Sequence, residues 1–358
     1  MQKLTIQFTD AFSKIELGAR RAVAMAAHAE VRALLARDDT LSRKGFETAL
    51  IGSYPRDLGI WPGKDVDVFG KFTELTVDDT TPETIYNDVL NPLAAAYGER
   101  VTPQPRSVKV LYQPGSMPAR AFLAMFDAPE APDFEFSVDV VPAARWEDRW
   151  GIPNRNPDLW AADTLQRRWV ETDPEKLNDL TTELNAAPTI SGRGVYLPVT
   201  KSIKQIRRHH LGDTKPGGLY YELIMHEAFT DGYFDDVDTW ADAMARASTY
   251  VADRLGRAGA DPVCDPVLDR PFQPGPDPQQ LAGATAVFER LADAAREALT
   301  ASDGCAAAAA WRRIYGQRPD GVAAFPLPPG CREDGSVMPP PVANPLRGSD
   351  EARGFGGH

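Results

Sequence analysis

The strongest structural signal in the sequence lies in GSYPRDLGIWPGKDVDVF, residues Gly52–Phe69. The segment FETALIGS (Phe46–Ser53) is apolar and predicts a strand that ends at Gly-Ser. The segment DVDVFGKF (Asp65–Phe72) predicts a second strand. Residues two apart on a strand face the same side, so we expect Asp65 and Asp67 to present two carboxylates side by side.

Further segments predict that these strands belong to a mixed sheet packed with helices. SVKVLY (Ser107–Tyr112) and RAFLAMF (Arg120–Phe126) predict a strand pair around a Pro-Gly turn. DFEFSVDVVPA (Asp133–Ala143) alternates apolar and polar residues, which places Asp139 on the polar face of another strand. One long helix is predicted over residues 8–38, where apolar side chains recur at roughly helical spacing.

The second half of the chain has a different pattern. From Leu197 onward the apolar residues follow helical periodicity, and after Gly316 the composition shifts to Pro and Gly. A segment of that composition buries too little apolar surface to order itself alone. We therefore expect an α+β protein in which the N-terminal helix braces both lobes. Its expected parts are a mixed-sheet lobe (1–195), a helical lobe (196–318) and a disordered tail (319–358).

The paired aspartates suit metal-dependent phosphate chemistry. Adjacent carboxylates repel each other unless a cation lies between them, and Mg²⁺ prefers carboxylate and phosphate oxygens. Gly52 allows close backbone approach, and the backbone amides with the Ser53 hydroxyl can hold a triphosphate. Asp139 adds a third carboxylate, as in-line phosphoryl transfer with two metal ions requires. An isolated Asp-x-Asp is usually a solvated strand edge, but its combination with Gly-Ser and a later aspartate favours the metal site.

Charge and composition narrow the partners and the location. The net charge of −12 and the pI near 5.0 disfavour extensive nucleic-acid binding, and the short basic cluster Lys201–His210 suits a triphosphate better. No signal-peptide pattern and no apolar run of membrane-spanning length is present, so we expect a cytoplasmic protein without membrane contact. Cys264, Cys305 and Cys331 lack metal-ligand spacing and are predicted to be free thiols.

Taken together, these motifs resemble a known family. GSYPRDLGIWPGKDVDVF and FSVDVVPA resemble the DNA-polymerase-β-like nucleotidyltransferases and, more narrowly, the bacterial CD-NTases, the cGAS/DncV-like group. SIKQIRRHH and KPGGLYYELI resemble the group's segment with a phosphate-binding lysine and its Tyr-Glu element, and WRRIYGQRP resembles the close of its helical lobe. The resemblance covers residues 1–318.

This resemblance implies a polymerase-β-like nucleotidyltransferase lobe followed by a helical lobe. The implied reaction joins NTPs into a cyclic di- or trinucleotide, a second messenger that activates an effector protein in anti-phage defence. Asp65, Asp67 and Asp139 would be catalytic and would bind two Mg²⁺ ions, for which Mn²⁺ can substitute. Tyr220 is assigned to base stacking because Leu219 stands where relatives often place an aromatic residue. The implied nucleotide-binding residues are Gly52, Ser53, Lys204 and Tyr220.

Several alternatives stay open at this point. The same carboxylates could transfer one nucleotide to a protein, small molecule or RNA acceptor, and a non-catalytic nucleotide sensor would keep the fold alone. A regulator acting on the C-terminal tail, which ends GFGGH, is a further candidate partner. Tyr54 could stack on a base or pack beneath its loop, and Arg56 could contact a phosphate or pair with Asp57.

Overall fold

The computed structural model describes residues 4–63, 65–114, 116–129 and 134–339. Its β-structure is one seven-stranded sheet and two short hairpins. The sheet strands are β1 (Phe46–Ile51), β2 (Asp65–Thr76), β3 (Val101–Pro103), β4 (Val108–Tyr112), β5 (Phe136–Trp146), β6 (Arg149–Pro153) and β7 (Trp169–Thr172). The hairpins are β8 (Thr189–Ile190) with β9 (Arg193–Gly194), and β10 (Cys264–Asp265) with β11 (Arg270–Pro271).

Helices surround the sheet and form most of the C-terminal half. Those in the first half are α1 (Thr5–Ile15), α2 (Arg20–Leu35), α3 (Asp39–Ser42), α4 (Pro82–Tyr97), α5 (Arg120–Met125), α6 (Leu165–Arg168) and α7 (Pro174–Leu184). Those in the second half are α8 (Tyr196–Leu211), α9 (Gly218–Thr230), α10 (Trp240–Arg257), α11 (Pro278–Thr300) and α12 (Gly304–Tyr315). Within the described ranges, none of them combines the length and apolar character needed to cross a bilayer.

The sheet is mixed, as the sequence predicts. Its main order is β1-β2-β5-β4-β3, with β6 added beside β5 and β7 beside β6. Strands β2 and β5 run parallel, and the other neighbours are antiparallel. Apolar residues alternate with polar ones along β2 and β5, so Val66, Val68, Val138 and Val140 are buried beneath the sheet while the aspartates occupy the other face.

The predicted N-terminal helix is present as two consecutive helices that serve different cores. Gly18 adopts a positive φ of 56°, and Glu16 has an extended backbone, so α1 ends before α2 begins. Phe8 and Phe12 of α1 are buried among helices α8–α12, which we call the helical lobe. Val31 of α2 is buried against the sheet, which with its packed helices we call the sheet lobe. The N-terminal region therefore braces both lobes, as expected.

The predicted strand over Arg120–Phe126 is wrong, because residues Arg120–Met125 form helix α5. The segment RAFLAM has no β-branched residue, and Ala, Leu and Met favour helix. Helix α5 packs against α2 rather than against β4. The partner strand of β4 on this side is instead the short β3.

The cysteine prediction is also wrong for two of the three residues. Cys305 at the start of α12 forms a disulfide with Cys331, and their Cα atoms lie 5.2 Å apart, whereas Cys264 is free and exposed. The segment after α12 folds back on the helical lobe, where Phe325 is fully buried against Phe8 and Tyr315. The part of the segment around Phe325 and Cys331 thus packs against the lobe, in contrast to the disorder expected there. The rest of that predicted tail, 340–358, lies outside the described residues.

Candidate functional site

The pairing of β2 with β5 brings two of the predicted acidic residues together. In the parallel register Asp67 lies beside Asp139, and Asp65 lies beside Ser137. Asp65 precedes Asp67 by two residues on the same strand and therefore shares its face. On the other side of β2, Ile51 pairs with Asp67, so the Gly-Ser turn after β1 starts next to that carboxylate. The structure therefore places the three carboxylates at one place on the sheet.

Gly52 makes the close approach of this turn to Asp67 possible. Its φ is +76°, and a Cβ atom built on it would lie 2.2 Å from Asp67 Oδ2. Any other residue at this position would collide with the carboxylate in a backbone conformation that L side chains rarely adopt. The turn is closed by Leu58 N–H, which donates to Ser53 O at 2.8 Å.

The carboxylates lie in an electrostatically unfavourable arrangement. Burial, together with the charges of Asp65 and Asp139, raises the pKa of Asp67 to about 7. Burial also raises the pKa of Asp139 to about 6; the Lys109 charge opposes this shift and the Asp65 charge adds to it. The Oδ1 atom of Asp139 is buried without a hydrogen-bond partner. A bound cation would relieve both the repulsion and the unsatisfied oxygen.

These residues have the oxygen donors that magnesium prefers, but they do not form a complete set of protein ligands by themselves. Within the described ranges, no group of three or more His, Cys, Asp or Glu side chains is arranged to hold a metal ion. Mg²⁺ is usually bound through one or two carboxylates, several waters and the phosphates of a substrate, so such a cage is not required. Asp65, Asp67 and Asp139 fit this mode, in which the nucleotide completes the coordination.

A cavity of about 610 Å³ opens between the two lobes beside these residues. Gly52, Ser53, Asp65 and Asp67 line it from the sheet lobe, and Lys204 lines it from the helical lobe. Asp139 is not among the lining residues, but it lies next to Asp67 in the sheet. Ser53, Asp65 and Lys204 also line a second cavity of about 490 Å³. The Gly-Ser turn therefore separates two openings that both reach Lys204.

Lys204 is engaged in a buried ion-pair network. Its ammonium group pairs with Glu222 of α9 and donates to Leu58 O at 2.6 Å. Arg56, on the turn after β1, pairs with the other oxygen of Glu222. Burial alone would raise the pKa of Glu222, but the charges of Lys204 and Arg56 outweigh it and hold that pKa below its usual value. The phosphate contact assigned to Lys204 stays a prediction.

The structure shows the contacts of two turn residues whose roles were left open, and its described residues do not form the Arg56–Asp57 pair that one alternative predicted. Arg56 is buried and pairs with Glu222, whereas Asp57 pairs with Arg21 and Lys201. Tyr54 packs beneath the turn, where its hydroxyl donates to Arg21 O at 3.3 Å and its ring meets His28 edge-on. Both side chains therefore support the turn, and Tyr54 also lines the second cavity beside Ser53.

Tyr220 lies apart from the carboxylates. It is buried in the core of the helical lobe, with its ring 6.0 Å from that of Phe272. It lines a separate cavity of about 320 Å³ together with Leu219 and Lys215. Leu219 is exposed and lines the main cavity as well, so it reaches the cleft that Tyr220 does not line. The base-stacking role assigned to Tyr220 stays a prediction.

Sequence reasoning missed several charged residues of the cavity wall. Arg106 follows β3, Arg155 follows β6, and Arg270 and Glu171 pair across the wall at 3.1 Å. These residues come from short loops and strand ends far apart in the chain, where no periodicity or motif marks them. Pairing of distant strands in the sheet brings the first, second and last of them together, and packing of the later part of the chain adds Arg270.

Comparisons with known proteins identify the fold. No protein-family model matches the chain, and no curated protein matches it by sequence. The Bradyrhizobium diazoefficiens CD-NTase CdnG in complex with GTP matches with 15% identity over 82% of this chain and 92% of its own, at a TM-score of 0.62. The CdnC:HORMA-deltaN complex of E. coli MS115-1 matches with 15% identity over 91% and 98%, also at 0.62.

A third solved structure supports the same assignment. The Vibrio cholerae DncV cyclic AMP-GMP synthase, a prokaryotic cGAS homolog, matches with 13% identity over 90% of this chain and 89% of its own, at a TM-score of 0.52. These matches extend over both the sheet lobe and the helical lobe. The chain therefore has the fold of the bacterial CD-NTases, the cGAS/DncV-like nucleotidyltransferases.

Proposed function

We propose that this protein is a nucleotidyltransferase that joins NTPs into a cyclic di- or trinucleotide. The observation that carries the proposal is the register of β2 and β5, which sets Asp67 beside Asp139 next to the Gly52 turn. Gly52 and Ser53 would hold the triphosphate of the donor nucleotide, and Asp65, Asp67 and Asp139 would hold two Mg²⁺ ions. Bound there, the ions would activate the attacking hydroxyl and neutralise the leaving pyrophosphate.

The charges around the cavity support a metal-dependent reaction. In the described part of the chain, carboxylates outnumber cations on the cavity wall. An NTP is itself strongly anionic, so Asp65 and Asp67 would repel its phosphates unless cations lie between them. The acidic side chains are Asp65, Asp67, Glu171, Asp173, Glu222 and Asp265, and the basic ones are Arg56, Arg106, Arg155, Lys204 and Arg270.

Residues of the chain itself would accept the proton, orient the donor triphosphate and exclude water. Asp139 has a buried oxygen without a partner, and its carboxylate would accept the proton of the attacking ribose hydroxyl. The Gly52 turn would orient the donor triphosphate against the carboxylates, and the Arg56–Glu222–Lys204 network holds the turn against the helical lobe. Closure of the cleft by the two lobes would exclude water from the reacting groups.

The test is product formation from defined substrates. The purified protein is incubated with all four NTPs and Mg²⁺ or Mn²⁺, treated with phosphatase and analysed by mass spectrometry. We expect a phosphatase-resistant cyclic oligonucleotide that disappears in Asp67→Asn and in Asp65→Ala/Asp67→Ala. The control Glu74→Gln removes an exposed carboxylate at the far end of β2 and is expected to keep the activity.

The other functions give different results in this assay. Transfer of a nucleotide to a separate acceptor yields no cyclic product but a labelled protein, small molecule or RNA when that acceptor is added. A nucleotide sensor binds NTP and metal without any turnover under any of these conditions. Either result, from folded protein, would contradict cyclisation.

We further propose that the product activates an effector protein in anti-phage defence. The support is the fold shared with bacterial cyclic dinucleotide synthases. The related CdnC is solved with a HORMA partner, so a regulatory protein is a second candidate partner here. A regulator was expected to act on the C-terminal tail (319–358), of which residues 340–358 lie outside the described residues. Co-purification of the tagged full chain from phage-infected cells, with and without residues 340–358, would test a tail-dependent partner.

A further inference from the structure

Two arginines of the cavity wall differ from the other basic residues there. Arg56 and Lys204 pair with Glu222, and Arg270 pairs with Glu171. Arg106 and Arg155 have no carboxylate partner in the described part of the chain. A cationic group that faces a cavity without a partner is available to an anionic ligand, whereas a paired one must first give up its carboxylate.

These two arginines lie next to each other. Both line the main cavity and a smaller one of about 310 Å³ in the turn between β3 and β4. Burial, together with the charge of Arg155, lowers the pKa of Arg106. The Nε atom of Arg106 is buried and has no hydrogen-bond partner. Like charges held together around an unsatisfied donor are unfavourable unless an anion binds between them.

The backbone that carries both arginines is well supported. In the turn before β4, Gln104 N–H donates to Ser107 O at 2.9 Å, and the Tyr86 hydroxyl contacts the carbonyls of both residues. After β6, the Asn154 side-chain amide donates to Arg167 O at 2.9 Å, and its Oδ1 atom accepts from Asn156 N–H. The two guanidinium groups are therefore presented by hydrogen-bonded turns.

We propose that Arg106 and Arg155 form a polyphosphate-binding site for the second, acceptor NTP. Guanidinium groups bind phosphate oxygens through paired hydrogen bonds, and two together offset part of the negative charge of a triphosphate chain. The assignment to the acceptor rests on the proposed function, in which Gly52 and Ser53 take the donor triphosphate. Arg155 also lines the cavity of Leu219 and Lys215, so a nucleotide held here by its phosphates has that cavity beside it.

Calorimetric titration with inorganic tripolyphosphate tests the site without turnover. The full chain is titrated in EDTA, which removes metal-dependent binding at Asp65 and Asp67. We expect Arg106→Gln/Arg155→Gln to weaken tripolyphosphate binding at least about tenfold, because two charge-assisted contacts are lost. Arg155→Gln alone, at an exposed loop position, is expected to weaken tripolyphosphate binding severalfold.

The matched control is Arg270→Gln, which removes a charge from the same wall but one that is paired with Glu171. We expect it to change tripolyphosphate affinity less than about twofold. Equal affinities in the wild type and the double variant, or equal losses in Arg270→Gln, would overturn the proposal. Adenosine, which has no phosphates, is expected to bind the wild type, the double variant and both single variants with equal affinity.

Steady-state kinetics distinguish two candidate ligands of this site, the acceptor triphosphate and the released pyrophosphate. With product formation established, the double variant is expected to raise the KM for NTP about tenfold and to leave pyrophosphate inhibition unchanged. Weaker pyrophosphate inhibition with an unchanged KM would contradict the acceptor assignment. A protein that makes no cyclic product but binds tripolyphosphate through both arginines would refute the proposed function and keep the polyphosphate site.

Discussion

At the scale of single residues, Gly52 is the most demanding position of the site. Replacing it with alanine places a methyl group about where Asp67 Oδ2 now lies and forces a strained backbone. We expect Gly52→Ala to lower the free energy of unfolding by about 1–3 kcal/mol. Displacement of the carboxylate is expected to lower the rate of product formation roughly 100-fold. Chemical unfolding and the product assay measure the two effects.

The matched control is Gly18→Ala, because Gly18 also has a positive φ but its Cβ position is open. This variant is expected to lose about 1 kcal/mol of stability and to keep its activity. If both variants lost activity equally, the contact between Gly52 and Asp67 would not explain the effect.

His28 gives a pH dependence of stability. Burial, together with the Arg32 charge, lowers the pKa of its imidazole to about 4, so the folded protein holds this histidine neutral. The unfolded chain takes up the proton near pH 6.5, and the stabilisation is therefore complete above pH 6.5 and lost as the pH falls toward 4. Between pH 7.5 and pH 5 we expect His28 to account for a loss of about 2 kcal/mol.

Chemical unfolding at several pH values measures this contribution. His28→Leu should lose less stability over the same interval. His209→Gln, at an exposed position where partial burial also lowers the pKa of the imidazole, should reduce the slope less than His28→Leu does. Equal slopes for wild type and His28→Leu would contradict the buried neutral state.

At the scale of elements, sequence periodicity correctly predicted strands that bury one face. Strands β2 and β5 alternate because Val66 and Val138 are buried in the sheet, and the same alternation put the aspartates together on the other face. Periodicity did not predict helix α5, because its six residues are too few to show a period. It also merged α1 with α2, because the apolar spacing continues across Gly18 while the backbone does not.

The link between the Gly52 turn and helix α9 is a buried charge network. Glu222 has only 6% of its side chain exposed and pairs with Arg56 and Lys204. We expect Glu222→Gln to destabilise the protein by about 3–5 kcal/mol, because two buried cations lose their shared carboxylate. Thermal and chemical unfolding at pH 7.5 measure the change.

An exposed ion pair serves as the control for this network. Glu16 is 40% exposed and contacts Arg193 and Lys201, so Glu16→Gln is expected to cost less than about 1 kcal/mol. A similarly small loss in Glu222→Gln would mean that the buried network contributes little to joining the lobes.

At the scale of the whole molecule, the cleft depends on contacts between distant parts of the chain. The three aspartates were predictable because β2 and β5 each carry a local pattern. The pairing of Lys204 with Glu222 and Arg56 was not, since it forms only when the turn after β1 meets helices α8 and α9. The same reason hid Arg106 and Arg155, which local sequence does not mark and tertiary packing brings together.

The disulfide closes the C-terminal segment onto the helical lobe. It joins residues 26 positions apart and holds the chain on both sides of Phe325, which is buried against α1 and α12. Because a cross-link reduces the freedom of the unfolded chain, we expect Cys331→Ser to lower the free energy of unfolding by about 2–4 kcal/mol. Reduction of the wild type with dithiothreitol is expected to have a similar effect and to increase proteolysis between residues 317 and 339.

Thiol counting and a cysteine control make this prediction decisive. The denatured wild type is expected to show one reactive thiol without reductant, that of Cys264, and three after reduction. Cys264→Ser, at an exposed position, should unfold like the wild type and still respond to dithiothreitol. Three reactive thiols before reduction would mean that this segment is held on the lobe by apolar packing alone. In that case Phe325→Ala, rather than Cys331→Ser, would release the segment to proteases.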